Sequence, residues 1–422
     1  MRSIGSDEHE RASTRRGRRG PTGAGLGLLG PAFVAAVAYV DPGNVATNLS
    51  AGASYGYLLV WVLAAATVMA GLVQYLSAKL GIVTGESLPQ VLRGRMGRRT
   101  RIGYWLQAEV VAIATDVAEV VGGAIALNLL FGLPLPLGGV ITGVVSIAML
   151  MVQDRRGQRM FEQVITFALI VIAAGFLAGL FVAPPDAGGV ANGLVPRFDG
   201  TDTVLLAAGM FGATVMPHVV YLHSALARDR FGVSVGPSRI RTLLTATRFD
   251  VGGAMVVAGG VNIAMLLLAA SALRGVENTD TIAGAHAAVE SNLGSVIGVA
   301  FAVGLLVSGL ASTSVGCYAG AVIMEGLLLR RIPLLARRAI TVTPAVVILS
   351  TGAEPTWMLV LSQVVLSFGI PFAIIPLVVM TARRTVMGAW VNARLTTVLA
   401  AGVSLVVVAL NVALIGLTLS GA

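Results

Sequence analysis

The chain has 422 residues, 56% of them AVILMFWYC and 12% charged, with 52 glycines and a formal net charge of +9. A soluble domain carries about 25% charged residues, so composition excludes an ordinary water-soluble fold, and the glycines favour close-packed membrane helices over a barrel of alternating strands. The basic excess would suggest a nucleic-acid partner in a soluble protein; here it sorts by membrane side, so no nucleic acid is expected. Cys317 is the single cysteine and cannot close an internal disulfide.

Residues 1–25 carry Arg2, Arg11, Arg15, Arg16, Arg18 and Arg19 with few large apolar side chains, which predicts a disordered basic cytoplasmic tail. The apolar run that follows could imitate a secretory leader, but many runs of bilayer length come after it, so it is read as the first span. A span needs about 20 apolar residues. That rule predicts eleven, at 26–52, 57–79, 103–128, 137–153, 160–182, 203–227, 249–273, 295–328, 333–351, 356–381 and 396–419. With the tail in the cytoplasm, every Lys and Arg except Arg197 and Arg274 falls on that side. Splitting the long segment 295–328 would put Arg330 and Arg331 outside, so it reads as one tilted or kinked helix. The amino terminus is then inside the cell membrane and the carboxy terminus outside.

Two spans carry polar breaks, which are costly where freed backbone groups find no water. Span 1 contains Asp41-Pro42-Gly43-Asn44, and span 6 contains Ala213-Thr214-Val215-Met216-Pro217-His218. The bland readings are a turn and a proline kink. Placement argues for more: an ionisable residue at mid-span costs about 2.5–3.5 kcal/mol on insertion scales. The breaks lie five spans apart, and a five-span unit repeated in tandem must insert its second copy inverted. Matched broken helices in inverted repeats point to a transporter's midplane site. The predicted units are 26–182 and 203–381, with 396–419 as an additional helix.

The breaks bring together hard oxygens and one soft donor. Asp41 offers a carboxylate, Asn44 an amide oxygen, unwinding frees carbonyls with Ala38 and Ala213 as candidates, and Met216 offers a thioether. Oxygens alone would suit calcium, magnesium or manganese; the sulfur tips preference toward a transition-metal ion, although a membrane methionine is more often packing. Span 3 adds Glu109, Asp116 and Glu119, whose spacing places them on one helix face. His218 and His223 follow the second break. Carboxyls and imidazoles beside a cation site make a proton relay, with each histidine alternatively satisfied by a carbonyl. Arg337 and Arg338 are either cytoplasmic anchors or partners of those carboxylates.

In these motifs, over residues 26–419, the chain resembles the Nramp family (natural resistance-associated macrophage protein) of proton-coupled divalent-metal transporters, in its bacterial manganese branch. The resemblance implies an all-α LeuT-like fold of two inverted five-helix repeats plus an eleventh helix. It implies that Asp41, Asn44, Met216 and the Ala213 carbonyl bind metal, with the Ala38 carbonyl joining in some states. It adds Gln363, in Ser362-Gln363-Val364, as a residue closing over the ion. Asp116, Glu119, Arg337 and Arg338, with Glu109, His218 and His223, fall where the family carries its proton network. The segment 309–320 resembles the family's transport signature but has Leu310 where glutamine is usual and Cys317 where threonine is usual.

The function expected is a secondary symporter importing Mn(II) and Fe(II) with protons by alternating access. No cofactor is expected beyond the transported ion and the coupled proton, nor an obligatory protein partner. No phosphate-binding Gly-x-x-x-x-Gly-Lys-Ser/Thr loop occurs and the only lysine is Lys79, which argues against nucleotide hydrolysis. An amino-acid or sodium-coupled symporter, a passive channel and an intramembrane metalloenzyme are the alternatives; the last lacks a His-Glu-x-x-His motif.

Overall fold

The structure is a computed structural model that describes residues 30–232, 236–279, 281–330 and 332–420; the expected tail over 1–25 lies outside the described residues. Every regular element among them is helical. In chain order, α1 (Pro31–Val37) passes through a 3-10 turn (Ala38–Val40) into α2 (Pro42–Tyr55). Then come α3 (Val60–Thr84), the short α4 (Leu88–Arg93), α5 (Arg98–Phe131), α6 (Leu135–Arg156), α7 (Gln158–Val182) and the short α8 (Ala187–Gly193). The second half runs α9 (Gly200–Thr214), α10 (Pro217–Phe231), α11 (Pro237–Ala272), α12 (Ile282–Leu293), α13 (Ser295–Leu328), α14 (Leu334–Ser350), α15 (Pro355–Thr381), α16 (Arg384–Met387) and α17 (Arg394–Ser420).

Both breaks are helix starts written inside a span. Asp41 is extended (φ −70°, ψ 165°) and its side chain accepts the Asn44 N–H, while Pro42 takes the first helical position, where its missing donor costs nothing. Met216 is likewise extended (φ −73°, ψ 122°) ahead of Pro217. Thr214 ends the preceding helix and Val215 leaves helical geometry at φ −104°, ψ 75°.

Nine helical segments among the described residues, counting Gly200–Phe231 as one, are long and apolar enough to cross a membrane. The broken segment from α1 to α2 and the 17-residue α14 fall short of that measure. Residues 295–328 form one unbroken helix of 34 residues.

Helix packing has the exchange symmetry of two repeats. Matching α1–α2 with α9–α10, α3 with α11, α5 with α13, α6 with α14 and α7 with α15 maps most of the principal contacts onto one another. The α5–α15 contact becomes α13–α7, and α10–α3 becomes α2–α11. The α5–α13, α6–α14 and α3–α11 contacts map onto themselves. The fold is therefore all-α with two inverted five-helix repeats, and α17 packs outside them against α9 and α15. The breaks lie at the centre, and a Cβ at Gly122 of α5 would collide with Pro42, so only glycine allows that approach.

Candidate metal centre

The two breaks are tied directly to each other. Asp41 Oδ1 accepts the Asn44 backbone N–H at 2.9 Å and the Asn44 side-chain amide at 2.5 Å. The same amide nitrogen donates to the Ala213 carbonyl at 3.0 Å, across the gap between repeats. Ala38, Asp41, Asn44, Ala213, Met216 and Gln363 are all buried. Gln363, from α15, lies over the first break: a Cβ at Gly43 would run into its amide nitrogen and stand 3.1 Å from Asp41 Oδ2.

The cluster leaves several of its buried polar atoms unpaired. Asp41 Oδ2, Asn44 Oδ1 and both polar atoms of Gln363 are buried without a hydrogen-bond partner. A buried polar atom without a partner costs about 1–3 kcal/mol, and a charged one more. A cation among these oxygens would supply the missing partner. Among the described residues no group of three or more His, Cys, Asp or Glu could hold a metal; the polar groups gathered at the breaks are one carboxylate with amide and carbonyl oxygens, and Met216 is buried at the second break.

The unwound carbonyls beside the first break are held from other helices. Asn262 of α11 donates to the Tyr39 carbonyl at 2.7 Å, and Ser308 of α13 donates to the Val40 carbonyl at 2.5 Å. Gln74 of α3 donates to the Tyr39 hydroxyl, and its Oε1 lies 2.7 Å from His223 Nδ1. His223 is thus anchored by an amide rather than a carbonyl, whereas neither ring nitrogen of buried His218 has a partner. Sequence reasoning missed Gln74, Asn262 and Ser308. Their only signal was a lone polar side chain in an apolar helix.

The three carboxyls of α5 separate by partner. Asp116 Oδ1 meets Arg338 Nη1 at 2.7 Å and the Thr313 hydroxyl at 3.0 Å. Arg338 also donates to Thr313 and to Ser146, each at 2.7 Å. Glu109 pairs with Arg337 at 2.7 Å. Both arginines are fully buried, so the alternative of cytoplasmic surface anchors fails. Glu119 is different: it is buried, its carboxylate oxygens have no hydrogen-bond partner, and a Cβ at Gly316 would stand 3.1 Å from its Oε2. On α13, Leu310 is partly buried and Cys317 is buried as a free thiol.

The profile of the natural resistance-associated macrophage protein-like (Nramp) family matches residues 32–417. The chain belongs to the Nramp family. Among Nramp relatives, a Mycobacterium tuberculosis protein named divalent metal cation transporter MntH is 63% identical over 395 residues, covering 93% of this chain and 92% of its own. The crystal structure of an Eremococcus coleocola manganese transporter superposes with a TM-score of 0.86 at 31% identity, over 94% of this chain and 88% of that one. A nucleobase-cation-symport-1 family transporter shares the fold alone, with a TM-score of 0.56 at 14% identity over 91% of each chain. This Nramp chain therefore has the LeuT-like fold, and its named relatives are transporters, not enzymes.

Proposed function

We propose that the chain is a divalent metal cation transporter that imports Mn(II) and Fe(II) together with protons by alternating access. The observation that carries this reading is the group of buried, unpaired oxygens of Asp41, Asn44 and Gln363 where two unwound helices meet. Asp41, Asn44, Met216 and the Ala213 carbonyl are the ligands, Gln363 closes over the ion, and the Ala38 carbonyl joins in some states. The names of the Mycobacterium and Eremococcus relatives support the choice of cargo.

Protons use the acid–base groups on the far side of the first break. Glu119 is the carboxyl free to exchange a proton, because Asp116 and Glu109 are held by Arg338 and Arg337. His218, buried and unpartnered beside Met216, links the metal site to that stripe, and His223 continues it through Gln74. In this reading the chain crosses the cell membrane eleven times, with the segment from α1 to α2 and α14 as full spans. The amino terminus is cytoplasmic and the carboxy terminus outside. The repeats occupy 26–182 and 203–381, with 396–419 appended.

Purified protein in liposomes loaded with a metal-sensitive dye, with and without an inward proton gradient, tests the reading. Saturable, acid-stimulated manganese uptake is expected, and Asp41→Ala should reduce it at least about a hundredfold, the scale on which metal sites respond to loss of a critical group. Wild-type uptake by that variant would overturn the site. Manganese flux indifferent to the proton gradient would overturn the coupling.

A further inference from the structure

The amino-terminal end of α5 and the carboxy-terminal end of α13 enclose a cavity of about 320 Å³ lined by Arg98, Arg101, Ile102, Trp105, Leu328 and Arg330. Three arginines line it, and none of the three has an acidic partner among the described residues. The first turn of α5 contains no acidic residue, and its N-cap, Gly97, supplies no side-chain bond. Arg98 and Arg101 therefore sit at the helix end whose dipole is itself positive, an arrangement unfavourable in isolation, with Arg330 beside them just past the end of α13. Two donors inside the wall are also unsatisfied: Arg101 Nε and Trp105 Nε1 are buried without a hydrogen-bond partner. Convergent cations and unused donors around one cavity ask for an oxyanion, which arginine binds through paired N–H groups.

The surroundings decide which oxyanion. Ile102, Leu106 and Val110 are 44%, 55% and 50% exposed and recur every fourth residue, so an apolar stripe starts inside the cavity and runs along the membrane-facing side of α5. A free phosphate has no use for such a stripe; an acyl chain does. The tryptophan lies where charged loop gives way to apolar helix, the level of lipid headgroups.

We propose that this cavity binds the phosphate headgroup of an anionic phospholipid, with an acyl chain lying along Ile102, Leu106 and Val110. Basic pockets between spans at the membrane surface recognise such headgroups. The site joins α5 to α13, the helices carrying Glu119 and Thr313, so its occupant braces the two repeats at their membrane boundary. The proposal is independent of which ion the central site carries.

Native mass spectrometry of the detergent-purified full chain, titrated with phosphatidylglycerol or phosphatidylcholine, tests it. The wild type should retain one phosphatidylglycerol in preference to phosphatidylcholine. The triple variant Arg98→Gln/Arg101→Gln/Arg330→Gln should bind that lipid roughly a hundredfold more weakly, since each basic residue near an anionic surface contributes roughly fivefold. If the triple variant fails to fold, Arg330→Gln alone, at an exposed position just past the end of α13, should weaken retention about fivefold. Equal retention of the two lipids, or a folded variant that binds like the wild type, would overturn the proposal. Displacement of the lipid by excess inorganic phosphate would also overturn it, identifying a soluble-anion site instead.

Discussion

The break between α1 and α2 and the carboxylate face of α5, where Asp116 and Glu119 lie with Arg338, are both buried, both polar and both carboxylate-bearing, yet they are built on opposite rules. On that face, Asp116 and Arg338 are knitted to Thr313 and Ser146 by four hydrogen bonds of 2.7–3.0 Å. At the break, one oxygen of Asp41, one of Asn44 and the whole Gln363 amide have no partner. Paired buried charge holds structure together, whereas buried oxygens without a protein partner are free to bind a cation. Glu119 is the informative exception: Glu109 and Asp116 each face an arginine at 2.7 Å, whereas Glu119 has neither an ion-pair nor a hydrogen-bond partner among the described residues. The difference predicts that substitutions on the paired face act on stability and substitutions at the break act on cargo.

The largest effect tests the paired side. Arg338→Ala leaves the buried Asp116 carboxylate without its cation, so thermal unfolding in detergent should register a loss of about 3–5 kcal/mol. A variant as stable as the wild type would mean that the pair is not structural. Thr313→Val keeps shape but deletes a hydroxyl that donates to Asp116 and accepts from Arg338. Its expected cost is about 1.5–3 kcal/mol, the range for hydrogen bonds to charged groups.

Gln363→Ala should behave in the opposite way. Its amide makes no protein hydrogen bond, so truncation relieves an unpaired polar group while losing some packing, and stability should change by no more than about 1 kcal/mol. Metal affinity measured by isothermal titration should nevertheless fall about tenfold, near 1.4 kcal/mol. A destabilised variant with intact affinity would move Gln363 to the structural class and blur the distinction.

The two regions were legible in the sequence to different depths, for a physical reason. Asp41-Pro42-Gly43-Asn44 and Met216-Pro217 interrupt apolar runs with residues that cannot continue a helix, so both breaks were visible along the chain itself. The helical period placed Glu109, Asp116 and Glu119 on one face, but not which of them is paired, because Arg337 and Arg338 lie more than two hundred residues away. Gln363 came only through resemblance, since a lone glutamine in an apolar helix carries no spacing signal. Gln74, Asn262 and Ser308 were missed on the same ground: Gln74 meets His223 across 149 positions and Asn262 meets the Tyr39 carbonyl across 223. Local chemistry can be read from neighbours in sequence; neutral hydrogen bonds between distant helices cannot.

Met216 gives the smallest expected effect on manganese affinity and the finest cut between the two rules. Its side chain is wholly buried and belongs to the central apolar core, so a packing methionine and a ligand methionine occupy the same place. They differ in what replacement by alanine does. If the sulfur only packs, Met216→Ala lowers stability by about 2–5 kcal/mol and leaves ion preference alone. If it is a ligand, manganese retains its oxygen donors and loses less than about threefold in affinity, near 0.7 kcal/mol. Calcium, a hard ion that gains nothing from a thioether, then competes better than in the wild type. Competition of calcium against manganese uptake in proteoliposomes, read beside the unfolding temperature of the same preparation, separates these outcomes. Improved calcium competition is the result expected of a soft donor placed among hard ones, and an unchanged ratio would return Met216 to the core.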